Sequence, residues 1–353
     1  MTESPERFGA GSIPERASAC SSTAFDLVTN STARRVVEFE LWGKPVRAYA
    51  NANLSIYSAQ TCNAKCPFCV EELRPASRGT ALALQKTVEH DDLRYFAKLG
   101  QVLDALRPLN PSVSVTGGEP SIDPRLPAVL RLLAGHNSRK RTMTTNGSGL
   151  LDMREGRPVI EWVTATGVRH LNISRAHPDQ QRNAHLMALQ DGLTVPQLRD
   201  VVVRARAGGT RVRLSCVLIR GAIDSLDGIL RYLDFADRLG VDNVIFRQLM
   251  KTDSATTTVN HVVRFSDSRR VLLEPLLDAL SAESRFRFQK QIVGYYYYVE
   301  VWRYGGMDVV FEEADLARLE ASKRAEPGLI QELVFHPNSL LASTWQPWDG
   351  VLG

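Results

Sequence analysis

Three cysteines fall within one short stretch, Thr61-Cys62-Asn63-Ala64-Lys65-Cys66-Pro67-Phe68-Cys69-Val70, spaced C-x3-C-x2-C. No other feature constrains the chain as tightly. The remaining cysteines, Cys20 and Cys216, are distant and solitary. Such a cluster is too crowded for a disulfide framework, and without an export signal it reads as a metal site. Three thiolates on one loop hold three irons of a [4Fe–4S] cube and leave the fourth open. An open coordination position marks a catalytic metal rather than a structural one. The competing reading is a zinc knuckle. Zinc would want a fourth Cys or His nearby, and the next histidine, His90, has no second ligand at finger spacing.

What surrounds the loop decides what it can do. Asn53 to Tyr57 alternates as a strand and runs directly into the cysteines. Beyond them, strands and helices alternate. Ser112-Val115, Arg141-Thr145, Arg169-Ser174, Arg211-Ile219 and Asn243-Leu249 read as strands. Between and before them Asp91-Leu106, Leu126-Leu133, Pro158-Thr166, Val195-Ala207 and Leu226-Leu239 read as helices. Leu93, Phe96, Leu99, Leu103 and Leu106 are expected to form the apolar face of the first helix. Six βα-type repeats with short connections predict an α/β fold. Right-handed crossovers in series would curl the parallel sheet into a barrel or part of one. Chemistry in such folds gathers at the carboxyl ends of the strands.

Each strand end carries a candidate motif. Gly117-Gly118-Glu119-Pro120 closes the second strand, where two glycines let a ligand lie against the backbone. Thr144-Thr145-Asn146-Gly147 closes the third, offering short hydroxyl and amide groups or simply a turn. Asn172 and Ser174 share a face at the end of the fourth, and Arg175 offers a bidentate fork for a carboxylate. Leu218 and Ile219 lead into Arg220-Gly221 at the end of the fifth, while Cys216 reads as a core thiol. Arg247 and Gln248 end the sixth and are candidate substrate contacts, as is His177 on the loop that follows the fourth strand.

The cysteine spacing, with Phe68 just before the third cysteine, resembles the radical-SAM superfamily. The Gly-Gly-Glu-Pro, Thr-Asn-Gly and apolar-Arg-Gly segments resemble in particular the radical enzyme that starts molybdenum-cofactor synthesis from GTP. Viperin-like single-cluster enzymes are a further likeness. The resemblance runs from about Asn53 to Met250. It implies a partial (β/α)6 TIM barrel in which Cys62, Cys66 and Cys69 hold one [4Fe–4S] cluster. It also implies S-adenosylmethionine (SAM) held by Phe68, Gly117, Gly118, Glu119, Thr145, Asn146, Asn172, Ser174, Arg175, Leu218 and Ile219. Many relatives carry further cysteines in a C-terminal extension for auxiliary clusters, but no cysteine follows Cys216 here, so one cluster is expected.

Residues 1–32 have low apolar density and are expected to be a flexible segment. The barrel with an N-terminal hairpin should occupy 33–250, and a small β-rich extension 251–353. In that extension Ser268-Leu280 reads as a helix, and Ile292-Tyr304 with Met307-Phe311 as a hairpin around Gly305-Gly306. The run Tyr295-Tyr298 is either a half-buried strand or an aromatic wall that brings Tyr297 to the substrate.

The expected function is hydrogen abstraction by a 5′-deoxyadenosyl radical from a small molecule: a sugar, nucleoside or nucleotide in specialised-metabolite biosynthesis. Without an internal electron acceptor the chemistry should be redox-neutral, and an external flavodoxin- or ferredoxin-type donor would supply the electron. Modification of a ribosomal peptide and a non-catalytic Fe–S electron carrier are the alternatives. Net charge of +4 at 353 residues implies no nucleic-acid partner, no apolar run is long enough to cross a bilayer, and a reducing, cytoplasmic compartment fits the unpaired thiols.

Overall fold

The computed structural model describes residues 35–59, 61–73, 88–252 and 259–353. The expected N-terminal segment and Cys20 lie outside these residues. The chain opens with a hairpin of β1 (Val36–Leu41) and β2 (Lys44–Tyr49). Trp42 and Gly43, both at positive φ, form its two-residue turn. Pro45 sits inside β2, opposite Glu40, rather than in the turn.

β3 (Asn53–Tyr57), β4 (Ser112–Thr116), β5 (Arg141–Thr145), β8 (His170–Ser174), β9 (Arg211–Leu218) and β10 (Asn243–Gln248) pair in parallel in that order. Between β5 and β8 a two-residue pair, β6 (Met153–Arg154) and β7 (Arg157–Pro158), turns through Glu155 and Gly156, both at positive φ. Helices cover the outer face of the six parallel strands, which form a partial (β/α) barrel. In β9 the alternation is complete: Val212, Leu214, Cys216 and Leu218 are buried in the helix-covered core, while Arg211, Arg213, Ser215 and Val217 face the barrel interior.

Helix ends follow local chemistry. Asp91 caps Asp92–Ala105, and Thr194 with Gln197 makes a capping box on Val195–Ala207. Leu93 is 85% exposed, against expectation. The inward face of its helix is set by Tyr95, Leu99, Val102 and Leu106, at steps of three and four residues, and Leu93 lies off that stripe. A helix expected across Ser268–Leu280 is two helices, His261–Arg269 and Leu273–Ala282. Arg270 between them is extended, and its guanidinium donates to the carbonyls of Leu249 and Met250 at the end of β10.

The β-rich extension joins the barrel's own sheet. β13 (Met307–Ala314) pairs in parallel with β10, and β12 (Tyr297–Tyr304) and β11 (Phe286–Val293) continue antiparallel beyond it. At the opposite edge β15 (Leu333–Phe335) pairs in parallel with β3, followed by β16 (Leu341–Ala342). A short β14 (Leu329–Ile330) adds to β2. β11 escaped the sequence reading because its outer positions carry Arg287, Gln289 and Lys290, polar residues suited to an edge strand. No helix among the described residues is long and apolar enough to cross a membrane.

Candidate active site

The loop after β3 is anchored before it reaches its first cysteine. Ser58 donates through Oγ, and Ala59 through its amide, to Oδ2 of Asp123, at 2.7 and 3.0 Å. Asn146 then holds the loop from the end of β5: its Nδ2 donates to Asn63 Oδ1 at 2.8 Å and lies 3.8 Å from Cys62 Sγ. From the other side the Cys66 thiol donates to the Met187 carbonyl at 3.3 Å, and the Lys65 amide to the Ala188 carbonyl. The helix Gln180–Met187 that supplies these carbonyls was absent from the sequence reading. Phe68 packs with Ala176, Met187 and Leu189 beneath the loop.

Cys62, Cys66 and Phe68 line one cavity together with Gly117, Gly118, Glu119, Thr145, Asn146, Ser174 and Arg175. Ten of the sequence-picked residues therefore meet. Cys69 does not line the cavity; it is half-buried beside it, its amide donating to the Cys66 carbonyl. Thr144, from the expected third-strand motif, also contributes, together with Thr116, Ser215 and Val217. Burial, then the neighbouring Cys69 and Cys62, push the Cys66 thiol up to about 12. Burial also raises Cys62.

That donor set fits an iron–sulfur cube. The Cys62 and Cys66 thiols resist ionisation unless a cation sits among them, and a bound metal centre reverses that preference. Among the described residues no three His, Cys, Asp or Glu side chains converge on a point as ligands of a single ion. A cube does not ask for that, because it takes each thiolate on a separate iron.

The structure reassigns several residues. Glu119 is 1% exposed, and its carboxylate accepts from Ser121 N at 2.9 Å, Ser121 Oγ at 2.6 Å, Asn146 N at 2.6 Å and Thr145 Oγ1. Burial raises its pKa, opposed by those hydrogen bonds. It ties the end of β4 to the end of β5 and leaves little acceptor capacity for a ligand. Arg175 is 3% exposed, and every guanidinium nitrogen is engaged: Nε with His177 O, Nη1 with Leu193 O, Nη2 with Pro178 O and Gln180 Oε1. The expected carboxylate fork is an internal brace. Leu218 and Ile219 are buried away from the cavity, and Val217 takes the inward position. Asn172 lies below Ser174 and donates to Thr144 Oγ1, not into the cavity.

Gly117 needs its glycine for a neighbour. At φ +75 a Cβ there would lie 2.2 Å from the Tyr57 ring. His177 is part of a turn, its Nδ1 accepting from the Asp179 amide. Arg247 faces the interior level with Val217, 3.5 Å from Glu312 of β13. Gln248 points outward and accepts from Leu273 N at the start of a helix. Tyr297 lines a second cavity.

No family model matches the chain. Among curated proteins it is similar to the GTP 3′,8-cyclase of Tolumonas auensis, 29% identical over 177 residues, or 48% of this chain and 46% of the relative. GTP 3′,8-cyclase 1 of Mycobacterium tuberculosis is 28% identical over 208 residues, 55% of this chain and 50% of the relative. The chain thus spans about half the length of these curated relatives. Among solved structures, the crystal structure of Streptococcus suis SuiB is similar with a TM-score of 0.49 at 15% identity, over 84% of this chain and 61% of SuiB.

Proposed function

We propose that this chain, a member of the radical-SAM superfamily, is an enzyme that holds one [4Fe–4S] cluster on Cys62, Cys66 and Cys69 and binds SAM in the adjoining cavity. When bound, the two groups supply a one-electron cleavage that delivers a 5′-deoxyadenosyl radical for hydrogen abstraction from an unactivated C–H bond.

The chain's own residues do the positioning. Asp123, Asn146 and the end of the helix Gln180–Met187 fix the cysteine loop at both ends. Gly117 and Gly118 leave backbone open to an ammonium group. Thr144, Ser174 and Ser215 offer hydroxyls at three successive strand ends, and Val217 an apolar contact. Glu119 and Arg175 keep those strand ends in register through the bonds described above. Phe68 closes the underside of the cysteine loop.

The substrate proposed is a small molecule of sugar, nucleoside or nucleotide type, in specialised-metabolite biosynthesis. An external flavodoxin- or ferredoxin-type protein supplies the electron. The relatives' name supports a nucleotide-like compound. The chemistry proposed on that substrate is redox-neutral.

One observation carries the reading: thiols of the cysteine loop and the ends of four successive parallel strands line a single cavity. The test is anaerobic reconstitution followed by SAM and dithionite. Formation of 5′-deoxyadenosine is expected. An iron-loaded protein that neither binds nor cleaves SAM would be an electron carrier and would overturn the proposal.

A further inference from the structure

A second cavity, of about 300 Å³, lies between the two ends of the large sheet. Tyr49, Tyr295, Tyr296, Tyr297, Trp345 and Glu332 supply its rings and its charge. Tyr49 and Tyr295 stack at 5.3 Å between ring centres. Tyr295 meets Tyr296 at 4.9 Å and Tyr297 at 6.4 Å, and Tyr296 meets Tyr297 edge-on at 5.4 Å. The rings therefore present faces and edges in several directions around one space.

Its charge is one-sided. Among the described residues no Lys or Arg lines this cavity, and Glu332 is the only charged lining residue. The Glu332 carboxylate accepts from Trp345 Nε1 at 2.9 Å and lies 3.1 Å from Lys323 Nζ, which stands outside the lining. Gln331 forms part of the wall, and its Oε1 is buried with no donor among the described residues. Arg139 reaches only Asn51 and the Ala50 carbonyl, from outside. Burial, then Tyr296 and Glu332, raise Tyr295; burial, then Glu312, raise Tyr297, so both phenols stay neutral.

The cavity adjoins the candidate active site. Trp345 packs edge-on against Tyr57 at 6.3 Å, and Tyr57 lies directly against Gly117 of the cofactor cavity. Two aromatic side chains thus form the partition.

We propose that the tyrosine cavity binds an organic cation, a protonated amine, held over the tyrosine faces and paired with Glu332. Ring faces attract ammonium groups, while among the described residues the lining carries no cation to pair with a phosphate or carboxylate; Asn51, Asn53 and Ser55 offer only neutral polar groups. Taken with the enzymatic reading above, on which this step rests, the amine belongs to the substrate and its remainder extends past Tyr57 toward the cofactor cavity.

The test is calorimetric titration of the reconstituted protein with three probes of one length: n-pentylamine, n-pentanol and pentanoate. Pentylamine is expected to bind at least about tenfold more tightly than either other probe, the size of one buried cation–ring contact. Glu332→Gln and Tyr297→Leu, each checked for an unchanged melting profile, are each expected to weaken pentylamine by about tenfold. Gln331→Glu, which adds a carboxylate to the wall, is expected to tighten it. Pentanoate binding as well as pentylamine, or pentylamine affinity unchanged in Glu332→Gln and Tyr297→Leu, would overturn the cation assignment. Because this binding needs no turnover, amine binding without 5′-deoxyadenosine formation would refute the enzymatic reading alone, and the reverse would refute the cation site alone.

Discussion

At the scale of single residues, the thiols proposed to hold metal differ from Cys216, which fills space in the core. Cys62→Ala, Cys66→Ala and Cys69→Ala should each lose the brown absorbance and most iron after reconstitution. Cys216→Ser should retain it, since Cys216 is fully buried in the helix-covered core. An iron-replete Cys66→Ala protein would contradict the ligand set. Arg175 makes a different prediction. Its guanidinium satisfies three backbone carbonyls and Gln180, so Arg175→Ala should destabilise the protein by about 2–4 kcal/mol in urea titration. SAM affinity of the folded fraction should barely change. Weaker SAM binding with unaltered stability would restore Arg175 as a cofactor ligand.

Much of the site was legible at this scale, because glycine pairs, a Thr-Asn-Gly turn and three cysteines have few other uses in that order. What period-two reasoning missed was parity. β9 is apolar on alternate positions, yet Val217 is also apolar, so sequence alone could not tell which of Val217 and Leu218 faced inward. Nor could it show that the Glu119 and Arg175 charges would turn back into the protein.

At the scale of elements, the barrel interior is as informative as its rim. The amino ends of β5, β8 and β9 bring Lys140, Arg169, His170, Arg211 and Arg213 together. Burial first, then those four cations, lower His170 to about 4. A histidine with a depressed folded pKa stabilises the fold above its unfolded value near 6.5. That contribution falls away as pH drops toward 4, because the unfolded chain gains the proton first. The full shift corresponds to about 3 kcal/mol; the site is half open to solvent, and screening reduces this to roughly 1 kcal/mol. Stability measured by denaturant between pH 7 and 4 should therefore fall less steeply in His170→Gln than in the parent. Identical slopes would remove His170 from the acid response. The same cations went unremarked in the sequence because they are spread over the starts of three strands; only the sheet's register gathers them.

At the scale of the whole molecule, the C-terminal third is part of the barrel. β13 prolongs the parallel sheet beside β10, and β15 covers β3 with Leu333, Val334 and Phe335 fully buried. Ending the chain at residue 250 would expose both flanks of the parallel sheet and the apolar faces that cover them. Such a fragment should fail to give a cooperative thermal transition; a sharp one would show that the barrel is self-sufficient. The hairpin around Gly305-Gly306 was readable from its turn and its alternation. Its pairing with β10, far away in sequence, was not, because nothing local encodes which edge a strand will join. The measurement that bears most directly on the central claim is metal and sulfide analysis of the anaerobic protein, with its cluster spectrum recorded before and after SAM is added. About four irons and four sulfides per chain, with a spectrum that shifts on SAM addition, are predicted. A single zinc, or a cube whose spectrum is indifferent to SAM, would contradict the account.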